Sequence, residues 1–194
     1  MNAWQQIPPQ PIQVIDTRPA SEFRQGFLPG AINLPFANIP TYGPGVIPNQ
    51  MSLIWILSEA SEVDILEATL ADTPYQEFSQ GFILWEQISD QAVSTLATIR
   101  VDDFMNLPSK TYQLLDVRHP DEITRPAPPE NLISIPLQTL IEARNHLAQE
   151  TIIYILCGSG NRATTAASFL SQLGYQTQVI EGGMKAVQAY LQEK

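Results

Sequence analysis

The stretch TIIYILCGSGNRATTAASFLSQLGY, Thr151 to Tyr175, carries the decision about the fold. Its first six residues form an unbroken apolar run, which suits a strand buried on both faces of a parallel sheet. RATTAASFLSQLGY, from Arg162 onward, reads as a helix, with Gly174 as the residue just past its C-terminus. Between strand and helix stands CGSGNRA, Cys157 to Ala163, at the C-terminal edge of the sheet, where α/β proteins bind ligands.

Outward from that stretch the same alternation continues. YQLLD (112–116) and LISIP (132–136) read as strands, the second stopped by proline, and HPDE (119–122) begins a turn or short helix. LQTLIEARNHL (137–147) reads as a helix with Leu137, Leu140, Ile141 and Leu147 on one side. QVI (178–180) is the next strand, and GGMKAVQAYLQ (182–192) is a final helix preceded by glycines. Strands alternating with helices predict the α/β class, with a mostly parallel sheet flanked by helices on both faces.

The chain of 194 residues repeats itself at a period near 100. VIDTRPASEF (14–23) matches LLDVRHPDEI (114–123), AINLP ending at Pro35 matches LISIP ending at Pro136, and SLIWIL (52–57) matches TIIYIL (151–156). Two copies of one domain follow, residues 1–97 and 98–194, with ATIRVDDF opening the second. No Gly or Ser tract separates them, so the two domains are expected to pack together rather than hang on a tether.

The loop CGSGNRA carries the chemistry. Gly158 and Gly160 allow torsions closed to other residues, so successive amide N–H groups can curl toward one spot. With the N-terminus of the following helix and Arg162, they make a compact anion cradle. A thiolate is favoured there; comparable settings lower a cysteine pKa from about 8.5 to roughly 3.5–7.5. Cys157 is then the nucleophile.

Composition narrows the partners. One cysteine excludes an internal disulfide and a multi-cysteine metal site, and only His119 and His146 remain as candidate ligands. The sequence calls for no metal and no organic cofactor. A formal charge of −10 argues against nucleic acid as the main partner. With no membrane-span run and no secretory signal, the expected location is the cytoplasm. The charge is uneven: residues 1–97 carry ten acidic and two basic side chains, residues 98–194 ten and eight. An acidic first half either simply solvates the protein, or repels small anions or docks a basic partner.

Three motifs taken together resemble the rhodanese-like domain. In the second half these are Cys-x-x-Gly-x-Arg at Cys157, Gly160 and Arg162; Asp-x-Arg-x-x-x-Glu at Asp116, Arg118 and Glu122; and Gly-Gly-Met at Gly182, Gly183 and Met184. The first half carries the domain-start motif at Asp16, Arg18 and Glu22, followed by GFLPGAINLP. The resemblance implies two such domains in tandem. It implies a cysteine that takes sulfane sulfur from a small donor, of thiosulfate or 3-mercaptopyruvate type, and passes it from a persulfide to a thiol or cyanide-like acceptor or to an acceptor protein. The amides of Gly158, Ser159, Gly160, Asn161 and Arg162 would hold the sulfur. Asp116, Arg118 and Glu122 would support the site, Arg118 and Glu122 as an ion pair four residues apart and Asp116 by orienting the loop.

The two halves differ where the chemistry lies. In the first, SLIWIL is followed by SEASEV, which sets Ser58 against Cys157, Ser61 against Gly160 and Val63 against Arg162. Serine without a histidine base is a poor nucleophile, the loop has no glycine, and Glu59 and Glu62 oppose an anion. The second half lacks the first half's GFLPG run and has TRPAPPEN instead, with Arg125 either near the mouth or on the surface. Val187 stands where the family often has tryptophan, which the first half keeps as Trp85; both are expected to pack. Three alternatives to the sulfurtransferase remain open: a buried structural thiol, a docking module that carries sulfur incidentally, and a cysteine phosphatase or arsenate reductase. The last has five residues between cysteine and arginine, whereas four, Gly158 to Asn161, stand here.

Overall fold

The computed structural model describes residues 11–88, 93–108 and 112–193. In the first half, β1 (Ile12–Asp16), β2 (Ile32–Asn33), β3 (Ser52–Leu57) and β4 (Ser79–Leu84) form a sheet in the order β2-β1-β3-β4, every pairing parallel. Helices α1 (Ala20–Gln25), α2 (Ile39–Val46) and α3 (Val63–Leu70) connect them. In the second half, β5 (Thr98–Ile99), β6 (Tyr112–Asp116), β7 (Leu132–Ser134), β8 (Ile152–Leu156) and β9 (Thr177–Ile180) give the order β5-β9-β8-β6-β7, again all parallel. Its helices are α4 (Val101–Met105), α5 (Leu140–Ala143), α6 (Asn161–Gln172) and α7 (Gly183–Gln192). The repeat seen in sequence is thus a repeat of register. Asp16 pairs with Asn33 and Ile56 as Asp116 pairs with Ser134 and Leu156.

The central strands behave as continuous apolar runs demand. All six residues of β3 are buried, and in β8 all but Ile152 are. Helix α6 ends as its sequence promised. Gly174 adopts φ +89°, its N–H bonds the Ser171 carbonyl, and the Tyr175 N–H bonds that of Leu170, a closure that a left-handed residue after the helix permits. LQTLIEARNHL departs from expectation, because it is not one helix. A tight turn at Leu137–Thr139 leads into the four residues of α5, and a second tight turn covers Arg144–His146. Tertiary contacts pin its first turn. The Leu137 N–H is held by the Val117 carbonyl at 3.1 Å, while its own carbonyl lies against Gly45 of α2, where a side chain would collide with it.

That contact belongs to a broad seam between the halves. Residues 163 to 170 of α6 are all buried, so this helix is covered on more than the face its own sheet can reach. The second cover is the first half: α1, α2 and β2 pack on α6, and α2 packs on Leu137–Ala143. The run Ala163-Thr164-Thr165-Ala166-Ala167-Ser168 is small enough to let that backbone come close. Polar groups stitch the seam, with the Asn33 N–H donating to Ser168 Oγ at 3.0 Å and the amides of Gln13 and Gln172 bonded to each other. One hydrophobic core therefore runs through both halves, and a smaller one lies between the second sheet, α4 and α7. Among the described residues no helix is long and apolar enough to cross a membrane.

Candidate active site around Cys157

Cys157 follows the last residue of β8, and its side chain is almost wholly enclosed, with 1% of the residue exposed. Beyond it the chain turns through Gly160, at φ +96°, into α6, and the Gly160 N–H points back to Cys157 Sγ at 3.1 Å. The first two carbonyls of the loop are engaged on the far side. Cys157 O accepts the Met184 N–H at 2.7 Å and Gly158 O accepts the Lys185 N–H at 3.1 Å, both from the start of α7. Gly183 makes this approach possible. It sits at φ +56°, and a Cβ there would collide with the Cys157 carbonyl oxygen and lie 2.9 Å and 3.0 Å from the Ser159 and Gly160 nitrogens. The Gly-Gly-Met motif is therefore the back wall of the cysteine loop.

Arg162, in the first turn of α6, reaches sideways. Its Nη1 and Nη2 engage the two carboxylate oxygens of Glu122, the second at 2.8 Å, and its guanidinium lies beside Gly158. The pairing raises the Arg162 pKa above its ordinary value and holds the Glu122 carboxyl below its own, through the shared hydrogen bonds first of all. Glu122 also accepts the His119 N–H at 2.7 Å. The expected Arg118–Glu122 pair does not form. His119 is extended (φ −69°, ψ 140°), and only Pro120–Glu122 turn, so residues 118 and 122 never share a helical face. Arg118 instead clamps Asp116 through Nε and Nη2, at 2.9 and 2.6 Å, and caps the Arg125 carbonyl through Nη1. The Asp116 carboxylate thus holds Arg118 rather than the cysteine loop. The first half repeats the clamp, Arg18 on Asp16, with its guanidinium 3.4 Å above the ring of Trp85. Val187 is fully buried, and the Arg125 side chain is exposed and off the pocket rim.

An open pocket of about 420 Å³ lies against this loop, lined by Asn38, Tyr42, His119, Glu122, Ser159, Asn161 and Arg162. Two of those residues come from the first half. The Tyr42 ring centre stands 5.8 Å from the Arg162 guanidinium carbon. Nothing in the sequence distinguished Asn38 or Tyr42, because they reach the pocket only through the seam between the halves.

The corresponding loop of the first half is filled by its own carboxylates. The Ser58 N–H donates to Glu62 Oε2 at 2.8 Å, and the Ser61 hydroxyl donates to Glu59 Oε1 at 2.6 Å. Those two donors are already taken by carboxylates.

The family model for the rhodanese-like domain matches residues 2–62 and 101–190. Among solved structures, a rhodanese-related protein from Thermoplasma volcanium is 34% identical over 48% of this chain and 92% of its own, with a TM-score of 0.45. A rhodanese-like domain protein from Staphylococcus aureus is 32% identical over 47% of this chain and 91% of its own, with a TM-score of 0.45. A thiosulfate sulfurtransferase from Pseudomonas aeruginosa is 18% identical over 96% of this chain and 38% of its own, with a TM-score of 0.40. None of the curated proteins compared with the chain matches it.

Proposed function

From the premise that this chain belongs to the rhodanese-like domain family, a superfamily of sulfurtransferase type, we propose that it transfers sulfane sulfur through a persulfide on Cys157. The observation that carries the reading is the Cys157 sulfur enclosed by a loop whose Gly160 N–H donates to it, while the loop's first two carbonyls are drawn off by α7. Such an arrangement suits a sulfur anion, because preoriented dipoles in a dry site need no reorganisation when charge arrives.

The Cys157 thiolate attacks the outer sulfur of thiosulfate. The sulfur–sulfur bond breaks, its electron pair leaves with sulfite, and Cys157 carries a persulfide anion. With 3-mercaptopyruvate the carbon–sulfur bond breaks instead, and the carbon takes the electron pair and the thiol proton to give pyruvate. A cyanide carbon or an acceptor thiolate then attacks the terminal sulfur, leaving as thiocyanate or a new persulfide and restoring the Cys157 thiolate. Both donors are anions that Arg162 can receive by exchanging Glu122 for the donor's sulfonate or carboxylate. Asp116 and Arg118 brace the chain at the end of β6, and the first half supplies one wall of the pocket rather than a second sulfur site.

The test is intact mass measurement of the full chain after incubation with thiosulfate or 3-mercaptopyruvate. A gain of one sulfur atom, reversed by cyanide or a thiol and absent in Cys157→Ser, is expected. No adduct with either donor, or an adduct that persists in Cys157→Ser, would sink the proposal.

A further inference from the structure

Residues 1–97 hold only two basic side chains among ten acidic ones, Arg18 and Arg24. Arg18 is consumed within its own half by Asp16. Arg24, in the last turn of α1, leaves its half altogether. Its Nη1 donates to Thr164 Oγ1 at 2.8 Å, across the seam. The fully buried Thr164 hydroxyl in turn donates to the Gly160 carbonyl at 2.9 Å, and the Gly160 N–H meets Cys157 Sγ at 3.1 Å. A continuous line of contacts runs from the acidic half to the sulfur.

The position of this cation is odd in stability terms. It bears on the first turn of α6, the positive end of the helix, where a further positive charge is unfavourable. Among the described residues Arg24 makes no ion pair that would offset it. A negative charge on the sulfur side of the same turn removes the contradiction. The other charged and titratable groups around the loop do not provide a free cation in the same way. Arg162 is neutralised by Glu122, Arg118 by Asp116, and His119 Nδ1 accepts from the Asp121 N–H. Tyr42 lies over Arg162, and Lys185 and Glu181 are exposed.

We infer that Arg24 is a positioning residue through which the first half favours the anionic sulfur of Cys157, acting on the Gly160 turn by way of Thr164. The inference draws on the proposed sulfur chemistry for its purpose, but the thiolate alone is enough to test it. Because Cys157 is the single cysteine, the pH profile of iodoacetamide alkylation in the full chain reports this one group. Arg24→Met is expected to raise the alkylation midpoint by roughly 0.5 to 1 unit and to slow alkylation below the midpoint about three- to ten-fold, the scale of one nearby, partly screened charge. Arg24→Lys should restore most of the wild-type profile, whereas Thr164→Val should shift it in the same direction as Arg24→Met, with the double variant no worse than the stronger single. Should Arg24→Met weaken the fold, Arg24→Gln, which keeps a donor without the charge, carries the same expectation. A loss of thermal stability with an unmoved midpoint, in the Met and Gln variants alike, would reduce Arg24 to a packing contact and overturn the inference. Failure of Cys157 to accept sulfur while these shifts appear would overturn the sulfurtransferase reading and leave the role of Arg24 standing.

Discussion

Gly183→Ala tests the back wall of the cysteine loop, with Gly174→Ala as its control. Both glycines have positive φ, +56° and +89°, so each alanine incurs the left-handed cost of about 1–2 kcal/mol. The two positions differ in what surrounds them. Nothing lies within 4 Å of a Cβ at Gly174, whereas one at Gly183 meets three backbone atoms of the loop, the Cys157 oxygen and the Ser159 and Gly160 nitrogens. Backbone cannot swing away as a flexible side chain can, so overpacking adds about 1–3 kcal/mol and brings the Gly183→Ala total to about 2–5 kcal/mol. Stiffening of the unfolded chain is common to both variants, and their difference isolates the contact. Relief requires α7 to back off, which stretches the Met184 and Lys185 hydrogen bonds and lets the first loop carbonyls turn. Urea unfolding should therefore rank Gly183→Ala below Gly174→Ala. Sulfur transfer from thiosulfate to cyanide should be lost at least ten-fold in the first and unchanged in the second. Equal stabilities together with full transfer by Gly183→Ala would refute the claim that this close approach seats the loop.

Two further outcomes follow from the charges. The Glu122 carboxyl is held below its ordinary 4.5 chiefly by hydrogen bonds from Arg162, so the pair contributes stability that is present above about pH 4.5 and lost as the pH falls through the depressed folded-state value. Wild type should exceed Glu122→Gln by about 0.5 kcal/mol in urea unfolding at pH 7, a small figure because the pair is screened by solvent, and the gap should close under acid; a gap that widens there would contradict the sign. Ser58→Cys in a Cys157→Ser background should transfer no sulfur, since Glu62 already occupies the Ser58 N–H and Val63 stands where an arginine would be needed. Activity approaching wild type in that variant would leave a missing thiol as the whole difference between the halves.

Periodicity and motif order were enough for much of this protein. The apolar runs Leu53–Leu57 and Ile152–Leu156 have the length of strands buried on both faces of a sheet, and their repetition with the flanking Asp-x-Arg motifs marks two parallel α/β units. Where a residue's role depends on its sequence neighbours alone, as with Gly174 closing α6, the sequence reading and the structure agree. The spacing of four between Arg118 and Glu122 implies contact only on a helix, and His119 is extended. The segment 137–147 carries a helical period but not one continuous α-helix, and the contacts of its first turn with Val117 and Gly45 lie outside what periodicity can show.

What the sequence by itself determined is the α/β class, the internal duplication and the cysteine loop between β8 and α6, all of which follow from short-range pattern and backbone chemistry. Tertiary structure alone decided which charges meet. Arg162 takes Glu122 from 40 residues away, α7 turns the loop carbonyls aside, and Arg24 crosses from the first half to Thr164, 140 residues on. Such partners are set by how two sheets and a helix of small residues pack, and hydrogen bonds between distant side chains leave no spacing in the chain to read.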